Sequence, residues 1–131
     1  MDSSVPGNSE QPEKVSWQKI IAPYQNPDLM KSVWQMCNTL IPYFALWILM
    51  VLSLQISYWL TLLLAIPAAG FMIRTFIIFH DCGHGSFFKS KRANDTVGII
   101  TGLITFTPYY HWRHNHAVHH ATVADLDRRG V

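Results

Sequence analysis

The stretch Ser32–Ile73, SVWQMCNTLIPYFALWILMVLSLQISYWLTLLLAIPAAGFMI, runs for 42 residues between Lys31 and Arg74 without one Asp, Glu, Lys or Arg. A helix crosses the roughly 30 Å hydrocarbon core with about 20 residues. The run is therefore too long for one crossing and right for two. Its most polar interior point, Gln55-Ile56-Ser57, predicts the turn and places span one at 38–54 and span two at 59–79. Two buried helices of a soluble core are the competing reading, but 131 residues are too few to cover both on all sides. Pro42 falls in the first turn of span one, where proline costs little. Pro67, near Gly70, predicts a kink in span two whose freed carbonyl needs a neighbour. Arg74 lies close enough to the end of span two to snorkel to the headgroups. Trp47, Tyr58 and Trp59 suit the interfaces.

Outside this run the composition excludes several classes. Half the residues are hydrophobic and 14% are charged, against about 25% in soluble domains, so most of the chain is not intrinsically disordered. Two cysteines, Cys37 and Cys82, make no disulfide framework. A net charge of +2 with no basic stripe gives no case for nucleic acid. Residues 1–31 form a polar tail without the apolar core of a signal peptide. Met1–Lys14 reads as disordered and Val15–Lys31 as a short interfacial helix. Lys14, Lys19 and Lys31 precede span one, Lys89, Lys91 and Arg92 follow span two, and the turn is uncharged. The positive-inside rule puts both ends of the hairpin in the cytosol. With no transit peptide or retention signal, a bacterial cytoplasmic membrane is expected rather than the endoplasmic reticulum.

Seven histidines are crowded behind the hairpin. His80-Asp81-Cys82-Gly83-His84 follows span two directly, and a helix continuing past the bilayer puts His80 and His84 one turn apart on one face. Residues 97–107 form an apolar run too short to cross, expected to be re-entrant or interfacial. Both histidine groups then face the same side, the cytosol. Thr107-Pro108 reads as an N-cap and first helical position, opening a helix through His120. At about 100° per residue, His116, His119 and His120 share a face while His111 and His114 point well away from it. His116, His119 and His120 are thus the expected ligands of this group; His114 reads as solvated or supporting, and His111 is left open. Asn94-Asp95-Thr96 matches a glycosylation sequon that a cytosolic position leaves unmodified.

Imidazole binds iron, zinc, copper and nickel. Structural zinc favours a closed four-ligand site, often with cysteine, whereas five or more histidines can share two metals. Cys82 reads as a small apolar filler. Asp81 either orients a ligand imidazole through its second nitrogen or is a solvated helix-end acid. Iron beside a bilayer points to oxidation of a C–H bond by dioxygen, because an unactivated methylene offers side chains nothing to attack.

These residues resemble the membrane fatty acid desaturase family, in its acyl-lipid branch that includes Δ12 and ω3 desaturases. His80-Asp81-Cys82-Gly83-His84-Gly85-Ser86-Phe87 is similar to the first histidine box, HxxxH. Thr107-Pro108-Tyr109-Tyr110, Trp112-Arg113 and His116-Ala117-Val118-His119-His120 resemble the segment with the second box, HxxHH, and Thr122 and Leu126-Asp127-Arg128 also fit. The likeness runs from about residue 36 to the end.

The resemblance implies an all-α integral membrane fold, a transmembrane helical hairpin with a cytosolic histidine-box cap. It implies a di-iron centre ligated by His80, His84, His116, His119 and His120, and O2-dependent insertion of a double bond into a fatty acyl substrate. Electrons would come from a ferredoxin or cytochrome b5 type donor. Family members are usually longer, with a second pair of spans and a third box that nothing here matches. The chain is therefore expected to be an incomplete, N-terminal portion, inactive alone. A membrane di-iron hydroxylase, or a non-catalytic truncated metal-binding protein, is the alternative.

Overall fold

The computed structural model describes residues 26–122, which fold into four helices and, among the described residues, no strand. They are α1 (Leu29–Ser53), α2 (Tyr58–His84), α3 (Lys91–Ile104) and α4 (Tyr109–Thr122). At about 1.5 Å per residue, the 25 residues of α1 and 27 of α2 reach about 37 and 40 Å. Both are long and apolar enough to cross a membrane.

The sequence sets each boundary locally. Asp28 caps α1 by accepting from the backbone N–H of Lys31 at 3.2 Å. The turn falls at 54–57, around the expected Gln55-Ile56-Ser57, and closes with Ser57 N–H on the Ser53 carbonyl at 2.8 Å. Ser90 caps α3 through the N–H of Ala93. Gly85 ends α2 in the left-handed conformation at φ 70. There Gly85 N–H bonds the Cys82 carbonyl and Ser86 N–H the Asp81 carbonyl, both at 3.0 Å, a closure that favours glycine. Phe106 does the same for α3 at φ 55, with Thr107 N–H on the Gly102 carbonyl at 2.7 Å.

Polar side chains knit the hairpin from inside. The hydroxyls of Ser53 and Thr61 lie 2.7 Å apart near the turn, and Arg74 donates to Asn38 Oδ1 at 2.7 Å near the other end. Ser32 donates to the Phe87 carbonyl at 2.6 Å, and Thr39 and Thr75 are fully buried. Outward, Trp34, Ile48, Ile66 and Ile73 are exposed and no described element covers them. That is the surface expected of helices solvated by lipid or by further membrane helices.

Several boundaries differ from the sequence reading. The first helix starts nine residues before position 38, at the Asp28 cap, because Ser32 finds its partner inside the fold and does not break it. Pro42 therefore sits mid-helix, a correction to its expected first-turn place, and leaves the Asn38 carbonyl without a helical donor. Pro67 lies inside a continuous α2. Arg74 bonds Asn38 and packs over the Phe71 ring, a partner the snorkelling argument omits. The 97–107 run belongs to a helix that begins earlier, at Lys91, and ends at Ile104. Thr107 is not an N-cap: its hydroxyl turns back to the Thr105 carbonyl at 3.0 Å. The tail before residue 26 and Leu126-Asp127-Arg128 lie outside the described residues.

The core lies at the histidine end, where Ile78, Phe79, Cys82, Phe87, Phe88 and Tyr109 pack together with Trp112 and Val97 on their flank. Asn94, buried beneath it, accepts from Phe88 N–H at 2.9 Å and donates to the Phe88 carbonyl at 2.7 Å. It thereby holds the loop that follows α2.

Candidate metal centre

The last turns of α2 and the second half of α4 bring four imidazoles together. His80 and His84 stand four residues apart on α2, with Nε2 atoms 3.3 Å apart. From α4, His116 Nε2 comes within 3.1 Å of both. His120 Nε2, one turn further, lies 3.1 Å from His116 Nε2.

Every residue of the α2 terminus has a task in this arrangement. Asp81 Oδ1 is 3.1 Å from His80 Nδ1, a contact that puts the proton on Nδ1 and leaves the Nε2 lone pair facing the cluster. Gly83 makes room for Trp112, because a Cβ there would sit 2.8 Å from Trp112 Cζ3. The Trp112 ring stacks on His116, with centroids 4.3 Å apart and planes 18° from parallel, and meets the edges of Phe76 and His80. Ser86 adds its hydroxyl to the Asp81 carbonyl at 3.1 Å. Cys82 faces the core and is fully buried.

Behind the imidazoles lies a second polar group. Tyr109 OH reaches the Cys82 carbonyl at 2.9 Å and Asp95 Oδ1 at 3.2 Å, and Arg113 Nη1 donates to Asp95 Oδ1 at 3.0 Å. Gly98 leaves space for the Tyr109 ring. Burial, and then the hydrogen bond to Asp95, push the Tyr109 phenol up to about 12. Burial first, and then the neighbouring His120, His80, His84 and His119, lower the pKa of His116, which keeps it neutral at physiological pH.

Of the five expected ligands, the structure brings His80, His84, His116 and His120 into Nε2 contact. His119 stays beside them, its ring near parallel to that of His116 at 6.1 Å between centroids. His111 lies outside, paired with Asn115 at 3.1 Å, and His114 is exposed. Trp112, Tyr109, Asp95 and Arg113 were not singled out as parts of the site. The signal that could have found two of them is a glycine inside a helix, since Gly83 and Gly98 are where the Trp112 and Tyr109 rings press against the backbone.

The chemistry of the triad His80–His84–His116 fits a cation. Each Nε2 is either a donor or an acceptor, so three in mutual contact always include one like pair, and hydrogen bonds alone cannot satisfy the triangle. A single cation accepting three lone pairs can. Imidazole nitrogens bind at about 2.0–2.1 Å, which spaces adjacent ligands roughly 3.0–3.4 Å apart, and the observed edges are 3.1, 3.1 and 3.3 Å.

Comparison with known proteins finds several relatives. A fatty acid desaturase of Bacillus subtilis is 53% identical over 113 residues, 86% of this chain and 32% of that protein. A sn-1 acyl-lipid omega-3 desaturase (ferredoxin) of Synechocystis is 44% identical over 52 residues, 40% of this chain and 14% of that one. An oleoyl-12-hydroxylase of Ricinus communis is 36% identical over 55 residues, 42% of this chain and 14% of that one. The chain thus spans about a third, or less, of the length of these relatives. No solved structure matches it. The family described as fatty acid desaturase matches residues 57–130. That match takes in all of α2 and nearly everything after it, so this integral membrane protein belongs to the fatty acid desaturase family.

Proposed function

We propose that the chain carries part of a di-iron centre for O2-dependent desaturation of fatty acyl chains, ligated by His80, His84, His116, His119 and His120. The observation that carries the reading is the Nε2 triangle of His80, His84 and His116. Imidazole alone does not select iron over zinc or copper; the family membership favours iron. Once bound, the irons supply the oxidising power that no side chain has toward an unactivated C–H bond.

The chain's own residues orient and hold. Asp81 fixes the His80 tautomer, and Trp112 fixes the plane of the His116 ring. From Tyr58, about 20 residues of α2 cross the hydrocarbon core, so His80 and His84 emerge just beyond it. An acyl chain lying along the apolar helices can present a methylene there. The basic flanks Lys31, Lys89, Lys91 and Arg92 support a cytosolic cap, within reach of a ferredoxin or cytochrome b5 type donor. The ferredoxin-named Synechocystis relative favours the former, and the Bacillus relative a bacterial cytoplasmic membrane.

The test is metal analysis of the purified chain with its histidine variants. Iron bound by the parent, reduced in His84→Ala and His120→Ala but little changed in His114→Ala, is expected. Zinc or no metal would favour a non-catalytic role, and equal loss from all three variants would overturn the ligand assignment. The Ricinus relative motivates a second outcome at the same site, hydroxylation. It is separated from desaturation by whether the product of the active protein is an alcohol or an alkene.

A further inference from the structure

We infer that Asp95 is a positioning residue that locks α4 against α2 and so sets the spacing between the two pairs of histidines. The inference rests on the metal-centre reading above. Its basis is a junction of three helices at the Asp95 carboxylate and the Tyr109 hydroxyl bonded to it. Asp95, on α3, accepts from Arg113 Nη1 at 3.0 Å and lies 3.2 Å from Tyr109 OH. Tyr109 and Arg113 stand one turn apart on α4, so the carboxylate grips one face of that helix at two points. The Tyr109 hydroxyl also reaches the Cys82 carbonyl at 2.9 Å, and Cys82 sits between His80 and His84 in sequence. Its single proton is thus shared between an acceptor on α2 and an acceptor on α3.

This junction lies where it has the most leverage. Arg113 precedes His116 by three residues and His120 by seven. A one-residue slip of α4 moves each of its histidines about 1.5 Å along the axis and turns them by about 100°. Either change destroys contacts of 3.1 Å between Nε2 atoms on separate helices. Apart from the imidazoles themselves, the other contacts between α4 and the end of α2 are aromatic, packing with no directional bond. The Trp112 ring lies against Gly83, Phe76, Phe79 and His80, and the Tyr109 ring against Phe79. The hydrogen-bonded junction supplies direction: Asp95 fixes the rotation of α4 and Tyr109 its height on α2. Tyr109 is buried, so its bond to the Cys82 carbonyl is shielded from competing water, whereas the Arg113–Asp95 pair is only partly buried.

The test uses the full chain in detergent, with cobalt(II) as a spectroscopic probe, for the parent, Asp95→Asn, Tyr109→Phe and the double variant. Each single variant is expected to bind cobalt about tenfold more weakly, the lower end for groups that support ligands indirectly. Its ligand-field absorption should also be altered, while circular dichroism of the metal-free protein stays unchanged. The double variant should lose little more than either single one, because both act through one junction. Cobalt affinity and spectrum like the parent's in Asp95→Asn would overturn the inference and leave the metal centre standing. No cobalt uptake by the parent would instead overturn the metal centre. In that event hydrogen exchange decides on the junction: faster exchange across 109–122 in metal-free Asp95→Asn supports it, and unchanged exchange refutes it.

Discussion

Gly83→Ala offers a sharp test of how the site is packed, because the same substitution at Gly70, in the same helix, should have the opposite sign. A methyl group at Gly83 would lie 2.8 Å from Trp112 Cζ3 and 3.5 Å from Cε3, whereas carbon atoms rest about 3.5–4.0 Å apart. The ring must retreat by about 0.7–1.2 Å. It cannot do so alone, being stacked on His116 at 4.3 Å and packed against Phe79 at 4.7 Å between centroids. Overpacking of this kind costs about 1–3 kcal/mol, and replacing a helical glycine by alanine returns roughly 0.5–1 kcal/mol. The net is a destabilisation of about 1 kcal/mol. Gly70 has nothing within 4 Å of an added Cβ, so Gly70→Ala keeps only the gain. A shift of this size passed to His116 also stretches the 3.1 Å Nε2 spacings beyond the roughly 3.4 Å that adjacent ligands of one cation allow. Thermal melts of both variants in detergent, with metal titrations alongside, measure both effects. A Gly83→Ala protein as stable as Gly70→Ala, with undiminished metal uptake, would refute the reasoning.

Further expectations follow from single features. Gly85→Ala places a side chain at φ 70, which costs about 1 kcal/mol, while Gly85→Asn costs less; the order of melting temperatures checks this. The pKa of His116 is held below its usual 6.5, so the unfolded chain takes up this proton before the folded one does. Stability of the metal-free fold should therefore fall as pH drops below about 6.5, and His116→Gln should flatten that slope in an unfolding series; an unflattened slope contradicts the assignment. The chain spans 32% of the Bacillus desaturase it matches, and only two histidine boxes lie in its sequence. Expression of the 131-residue chain in a host with its own electron donors should therefore yield no new unsaturated fatty acid. A new species that disappears in His84→Ala would refute this.

Much of this was legible in the sequence because it is periodic. A charge-free run measures a hairpin, and spacings of three and four residues put histidines on a common helical face. What escaped is what periodicity does not encode. Ser32 lay outside the expected span, yet the helix runs through it and its hydroxyl meets the Phe87 carbonyl from 55 residues away, as Asn38 meets Arg74 from 36. Polarity ends a membrane helix only where it is unsatisfied. The Asp95–Tyr109–Cys82 junction joins groups 14 and 27 residues apart, with no recurring spacing to announce it. Asn94 matched a sequon, but its side chain is committed to both backbone groups of Phe88. His119 shares the His116 face by angle, and still the ring of His120 is the one that turns toward His84. A helical wheel gives direction but not reach.

The central claim is that imidazoles from α2 and α4 share metal. X-ray absorption at the iron edge of the iron-loaded chain tests it most directly, run in parallel on His80→Ala and His116→Ala. The account predicts a nitrogen shell near about 2.1 Å with imidazole scattering beyond it, weakened by either substitution although the two residues lie on different helices. An oxygen-only shell, or a spectrum indifferent to one of the two substitutions, would contradict it.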